Sequence, residues 1–251
     1  MLLEGRNAVI YGGGGQIGGA VAKAFAQHGA TVHLAGRTAA SLEAVADQVR
    51  GAGGTAFTDV VDALDEAAVN AFSAAVVARS GSLDICLNVI SHGDVQGIPL
   101  VEMALADFER PVLTAVRTMF LTSTAAAQQM IRQGSGVILV FGGDGDPLPD
   151  YYLGGLQVAF SAMEALRRNL SGELGQYGIR VITLRTGGVP ETLPPGFEGR
   201  DAIIAGIESA TMLRRAATLA DVGNAAVLAA SDLARTITAT ALNITCGTYV
   251  D

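Results

Sequence analysis

The chain has 251 residues, half of them hydrophobic and only 16% charged, so one large α/β domain or two small ones can bury a sizeable core. A formal net charge of −8 excludes nucleic acid as a main partner, because neutralising phosphates needs clustered Lys and Arg. The acidity reads as a solubility device, and the low charge content leaves apolar surface for subunit contacts, a pointer to an oligomer.

The N-terminus, Met1 to Arg6, lacks the plan of a signal peptide, and no stretch of membrane-span length escapes a Gly or a polar break. A soluble cytoplasmic protein with no membrane partner is the expectation. Cys86 and Cys246 read as buried free thiols, and His28, His33 and His92 show no ligand spacing, so no metal site is expected.

The run Asn7 to Tyr11 reads as a strand and drops into Gly12 to Gly15, then Gln16-Ile17-Gly18-Gly19, before a helical pattern from Ala20 to His28. A strand, a tight turn and a helix N-terminus aim unpaired backbone N–H groups and the positive end of a helix dipole at one spot, which suits a pyrophosphate. Gly12, Gly15 and Gly18 have the spacing that lets backbone approach a dinucleotide. A second strand, Thr31 to Ala35, ends at Gly36-Arg37-Thr38, and Ser41 to Arg50 reads helical. Thr55 to Thr58 is a third strand closed by Asp59; Asp65 to Arg79 is helical, with Leu64, Ala68, Phe72 and Val76 on one face. Asp84 to Val89 is a continuous apolar run, the pattern of a parallel strand covered on both sides.

A long helix covers Leu105 to Arg132, with Pro111 expected to bend it or delay its start. Gly136 to Phe141 is another buried strand, followed by a Gly-, Asp- and Pro-rich loop from Gly142 to Asp150. The next helix reaches about Tyr177 and is closed by Gly178; Arg180 to Leu184 is the sixth strand. Gly187 to Gly199 is a loop, Ala202 to Met212 reads as a mobile helix, Asp221 caps a helix to Ala230, and Ala241 to Thr245 is the last strand. Strand–helix alternation without a linker predicts a single Rossmann domain spanning 1–251. Its doubly wound parallel sheet has about seven strands and helices on both faces. Ligands of such sheets bind beyond the strand C-termini.

These residues carry a resemblance over essentially the whole chain to the short-chain dehydrogenase/reductase family. The matching segments are the glycine turn, Asp59-Val60, Leu83 to Asn88, Gly136 to Val140, Leu170 to Val181 and Leu242 to Gly247. The resemblance implies NAD or NADP and pairing into dimers or tetramers. It implies a cofactor set of Gly12, Gly14, Gly15, Gln16, Ile17 and Gly18 in the turn, with Arg37, Asp59, Val60, Asn88, Gly187 and Val189 after later strands. Arg37 stands where NADP-dependent members carry a basic residue, and no Asp or Glu ends that strand to bind a ribose 2′-hydroxyl. An arginine fork suits a 2′-phosphate, so NADP is expected, with NAD as the alternative.

The family's proton-transfer set is Tyr, Lys four residues later, Ser thirteen residues before the Tyr, and an Asn in the preceding long helix. The register of Glu164 to Leu174 puts Leu156, Phe160, Gly143 and Ala115 at those positions. A shift of four residues would make Tyr152 the acid with Leu156 as its partner, so neither register yields a Tyr–Lys pair. Replacement chemistry would fall to rim residues: His92, whose ordinary pKa is near 6.5, Tyr152, and the carboxylates Asp144 and Asp146. Two functions follow. One is hydride transfer with a small apolar carbonyl or alcohol beneath the loop from Val189 to Ala210; the other is an inactive NADP-binding sensor or scaffold.

Overall fold

The computed structural model describes residues 1–143, 151–194 and 196–250. Its strands are β1 (Asn7–Tyr11), β2 (Thr31–Gly36), β3 (Thr55–Val60), β4 (Ile85–Asn88), β5 (Gly136–Gly142), β6 (Ile179–Thr186) and β7 (Thr240–Ile244). The helices between them are α1 (Gln16–Gln27), α2 (Ala39–Gly51), α3 (Glu66–Ser80), α4 (Leu105–Gln133), α5 (Gly155–Leu174), α6 (Arg200–Ala210) and α7 (Leu219–Ala230). All seven strands run parallel in the order β3-β2-β1-β4-β5-β6-β7. The expected doubly wound Rossmann sheet is therefore present. Its order reverses between β1 and β4, which opens a crevice beyond their C-terminal ends.

Alternate residues of each strand feed two cores. Ala8 and Ile10 of β1 face a layer built by α1, α2 and α7, including Phe25, Leu42 and Val222. Val9 and Tyr11 face the opposite layer of α3, α4 and α5, including Phe72, Met119 and Met163. Coverage on both sides explains why β1 and β4 are apolar without alternation.

Three local readings change. β3 runs on through Asp59 and Val60, because these pair with Ala35 and Gly36 of β2. The inward face of α3 is Val69, Phe72 and Val76, whereas Leu64 precedes the helix and is exposed. The N-cap of α7 is Thr218, not Asp221. Thr218 Oγ1 accepts from the Asp221 amide at 3.1 Å, and the Asp221 carboxylate accepts from the Thr218 amide at 3.0 Å. This capping box satisfies donors at both ends of the first turn.

Pro111 lies buried inside α4, and the helix already starts at Leu105. α4 and α5 cross closely there: a Cβ on Gly155 would stand 2.0 Å from the Phe108 carbonyl oxygen. Glycine at 155 is thus a packing requirement that fixes the start of α5. No described helix is long and apolar enough to cross a membrane. Cys86 is buried and Cys246 half-buried, both as free thiols.

Candidate active site

β1 delivers the chain into a turn that only glycine can make. Gly12 has φ +81°, and a Cβ there would meet the Val89 carbonyl oxygen at 2.7 Å. Gly18, one turn into α1, lies against the same turn: its Cβ would stand 2.3 Å from the Gly12 carbonyl oxygen. Helix α1 is therefore drawn onto the turn with its N-terminus open. Its N-cap, Gly15, supplies no side-chain acceptor. The amides of Gln16, Ile17 and Gly18 find no acceptor among the described residues. Unsatisfied amides at a dipole's positive end fit a phosphate.

Beyond this turn lies a cleft of about 470 Å³, within the range of small-molecule sites. Gly12, Gly14 and Gly15 line it at the centre. Gly36, Arg37, Thr38 and Ser41 line it beyond β2, and Val61, Asp62, Ala63 and Leu64 beyond β3. The segment Val89 to Gly93 closes it beyond β4, and Arg110, Thr114 and Thr118 of α4 form the remaining wall.

Several expected cofactor residues lie elsewhere. Asp59 does not line the cleft; its carboxylate takes two hydrogen bonds from Arg79, at 3.0 and 3.2 Å. Val60 ends the strand and is 65% exposed. Asp62 and Ala63, three positions further on, line the cleft instead, because β3 runs on to Val60. Asp65, which accepts from the amides of Ala67 and Ala68 as the N-cap of α3, marks the helix start from which Asp62 could have been counted. Asn88 is buried behind the cleft. Its Oδ1 accepts from the Ile90 amide at 3.0 Å and its Nδ2 donates to Thr122, so it shapes the turn after β4. Gly187 and Val189 also stand outside the cleft. Gly187 lies against Thr245 and Thr248, while Val189 is buried in the core below. Gln16 reaches over the turn, its amide 3.4 Å from the Thr192 carbonyl oxygen.

His92 lines the cleft beside Gly93. Burial holds its pKa below the ordinary histidine value, with Asp94 acting in the opposite direction. Its ring meets Phe160 edge to face, centroids 6.3 Å apart. Phe160, in turn, lies against Gly142 and Gly143 at the end of β5. Leu156 and Ala115 are buried, Ala115 in the core beneath α3, α4 and α5. Tyr152 has φ +46° and is 49% exposed; its carbonyl oxygen accepts from the Gly97 amide, and its side chain does not line the cleft. Asp144 and Asp146 lie outside the described residues. No group of His, Cys, Asp and Glu suited to a metal stands together among the described residues. Arg110, Thr114 and Thr118 escaped notice in the sequence; their spacing of four on one long helix was the available signal.

A doubly wound sheet with a glycine cradle and a cleft at its switch point defines a Rossmann-type dinucleotide-binding protein. The chain belongs to the short-chain dehydrogenase/reductase family of oxidoreductases: the family model described as enoyl-(acyl carrier protein) reductase matches residues 14–249. Secoisolariciresinol dehydrogenase of Forsythia intermedia is 34% identical over 203 residues, covering 78% of this chain and 70% of that protein. The 7alpha-hydroxysteroid dehydrogenase of Escherichia coli K12 is 27% identical over 98% of this chain and 94% of its own length. A short-chain dehydrogenase/reductase from Serratia marcescens superposes with a TM-score of 0.87 at 27% identity over the full length of both chains.

Proposed function

We propose that this chain is an NADP-binding oxidoreductase of non-standard mechanism, acting on a small apolar carbonyl or alcohol. The observation that carries this reading is His92. It is an imidazole in the cleft, next to the ring that stands at the family's lysine position. The turn amides and the N-terminus of α1 would hold the pyrophosphate, Arg37 the 2′-phosphate, and Asp62 and Ala63 the adenine edge. The nicotinamide, when bound, supplies or accepts the hydride. His92 would deliver or take the accompanying proton; its lowered pKa keeps the imidazole neutral at pH 7, the form that takes up a proton.

Gly143, Leu156, Phe160 and Ala115 carry no titratable group, so they do not move a proton. Apolar side chains on the outer faces of α4 and α5 (Leu113, Phe120 and Val158) support a homo-oligomer, dimer or tetramer, and the protein is read as cytoplasmic.

A second reading, cofactor binding without turnover as a sensor or scaffold, is favoured by the packing of Phe160 against Gly143. NADPH oxidation against a panel of apolar ketones, measured for wild type and His92→Ala, separates the two. Wild-type turnover lost in His92→Ala supports the first reading. Undiminished turnover in the variant removes His92 from the mechanism. Saturable NADP binding with no turnover leaves the second.

A further inference from the structure

We infer that His92 is held for proton transfer by two positioning residues: Arg110 of α4 grips the backbone just after it, and Phe160 of α5 backs its ring. This rests on the reading of His92 given above. The turn after β4 carries His92, and its start is tied down by Asn88, whose Oδ1 accepts from the Ile90 amide at 3.0 Å.

Arg110 ties down the far side of His92. Its Nη1 donates to the Gly93 carbonyl oxygen at 3.3 Å, while its Nη2 donates to Asp107 at 2.8 Å and anchors the side chain to its own helix. Gly93 adopts φ +70°, and a Cβ there would stand 3.2 Å from Arg110 Cδ. The chain thus turns tightly against this arginine directly after His92.

Phe160 acts on the ring itself. The two centroids lie 6.3 Å apart and the planes meet at 68°, an edge-to-face pair. The phenyl ring is in turn seated on backbone: a Cβ on Gly142 would stand 3.5 Å from it, and one on Gly143 2.6 Å. Gly155 and the Phe108 carbonyl oxygen, in the same two helices, set the close spacing of α4 and α5, so both holds belong to one packed unit. An imidazole fixed from both helices meets its proton partner without first losing rotamer freedom.

The charged groups about His92 are Asp94, on its own loop and hydrogen-bonded to Gln96, and the Arg110–Asp107 pair of α4. From α5 it meets the uncharged Phe160 ring. Burial in this setting lowers the imidazole pKa, against the pull of Asp94.

Phe160→Leu, which keeps bulk and removes the ring, and Arg110→Ala test the two holds in the full chain. With NADPH and the apolar ketone panel, kcat should fall by about tenfold or more in each variant, while KM for NADPH stays within about twofold. The His92 imidazole is followed in parallel by NMR; its signals are assigned by their loss in His92→Gln, since His28 and His33 are the only other histidines. Both variants should displace these signals. In Phe160→Leu the titration midpoint should also rise towards 6.5, because water reaches the ring.

Unmoved His92 signals in both variants, or wild-type kcat alongside displaced signals, would overturn the clamp. A raised KM for NADPH with kcat unchanged in Arg110→Ala would assign that residue to cofactor binding and overturn its positioning role. Arg110 is exposed, so its variant carries the test if Phe160→Leu fails to fold. Wild-type turnover in His92→Gln, or none in wild type, would instead remove the reading of His92 itself, even with the NMR displacements as expected.

Discussion

A Cβ on Gly143 would stand 2.6 Å from Cε2 of Phe160, so the residue that follows β5 and the second turn of α5 interlock through an absent side chain and an aromatic ring. Gly143 brings no side chain and Phe160 brings a large one, and each suits the other.

Gly143→Ser alone should therefore destabilise the protein by about 1–3 kcal/mol through overpacking against the ring. Gly143→Ser with Phe160→Lys should recover most of that loss. The pair is measured as a double-mutant cycle in urea; additive effects would show that the contact is not tight in solution. Adding Leu156→Tyr supplies the phenol, and carbonyl reduction by this triple variant is the expected gain.

Arg37→Ala should discriminate between cofactors. If its guanidinium receives the 2′-phosphate, removing charged hydrogen bonds of about 1.5–3 kcal/mol weakens NADP by roughly 10–100-fold. NAD affinity should stay within about twofold. Parallel fluorescence titrations with NADPH and NADH read this out, and an equal loss for both would remove the phosphate contact.

Gly18→Ala attacks the cradle itself. The added methyl would meet backbone, the Gly12 carbonyl oxygen at 2.3 Å, which has no rotamer by which to move away. A destabilisation of about 3 kcal/mol is expected, together with loss of NADP-induced thermal stabilisation. Retained binding at wild-type affinity would mean that α1 is not held against the turn.

His33 sets an acid limit on stability. It is fully buried in β2, stacked on Phe57 with centroids 5.2 Å apart, and its Nδ1 has no hydrogen-bond partner. Burial, reinforced by the nearby Arg79 guanidinium, lowers its pKa to about 4 from 6.5. The unfolded chain then takes up a proton below pH 6.5 that the folded one refuses until about pH 4. Stability should fall across that window by about 3 kcal/mol at most. Urea melts at pH 7.5 and 4.5 should show this slope reduced in His33→Leu; an identical slope would place the acid sensitivity elsewhere.

The sequence by itself determined the order of strands and helices and the glycine turn. Each of these is written in local periodicity or in glycine spacing, and neither depends on which neighbours pack alongside. Gly12 and Gly18 were legible because only a residue without a Cβ meets the contacts found there.

Tertiary structure alone decided where β3 ends, since Asp59 and Val60 are polar or exposed yet paired to β2. It moved the cleft residues from Asp59 to Asp62 and gave Asp59 to Arg79. It brought Arg110 of α4 and Arg37 beside α2 to one cleft, although they come from opposite faces of the sheet. Strand ends and cleft walls are set by hydrogen bonds and packing between distant segments, and those contacts leave no periodic trace in the chain.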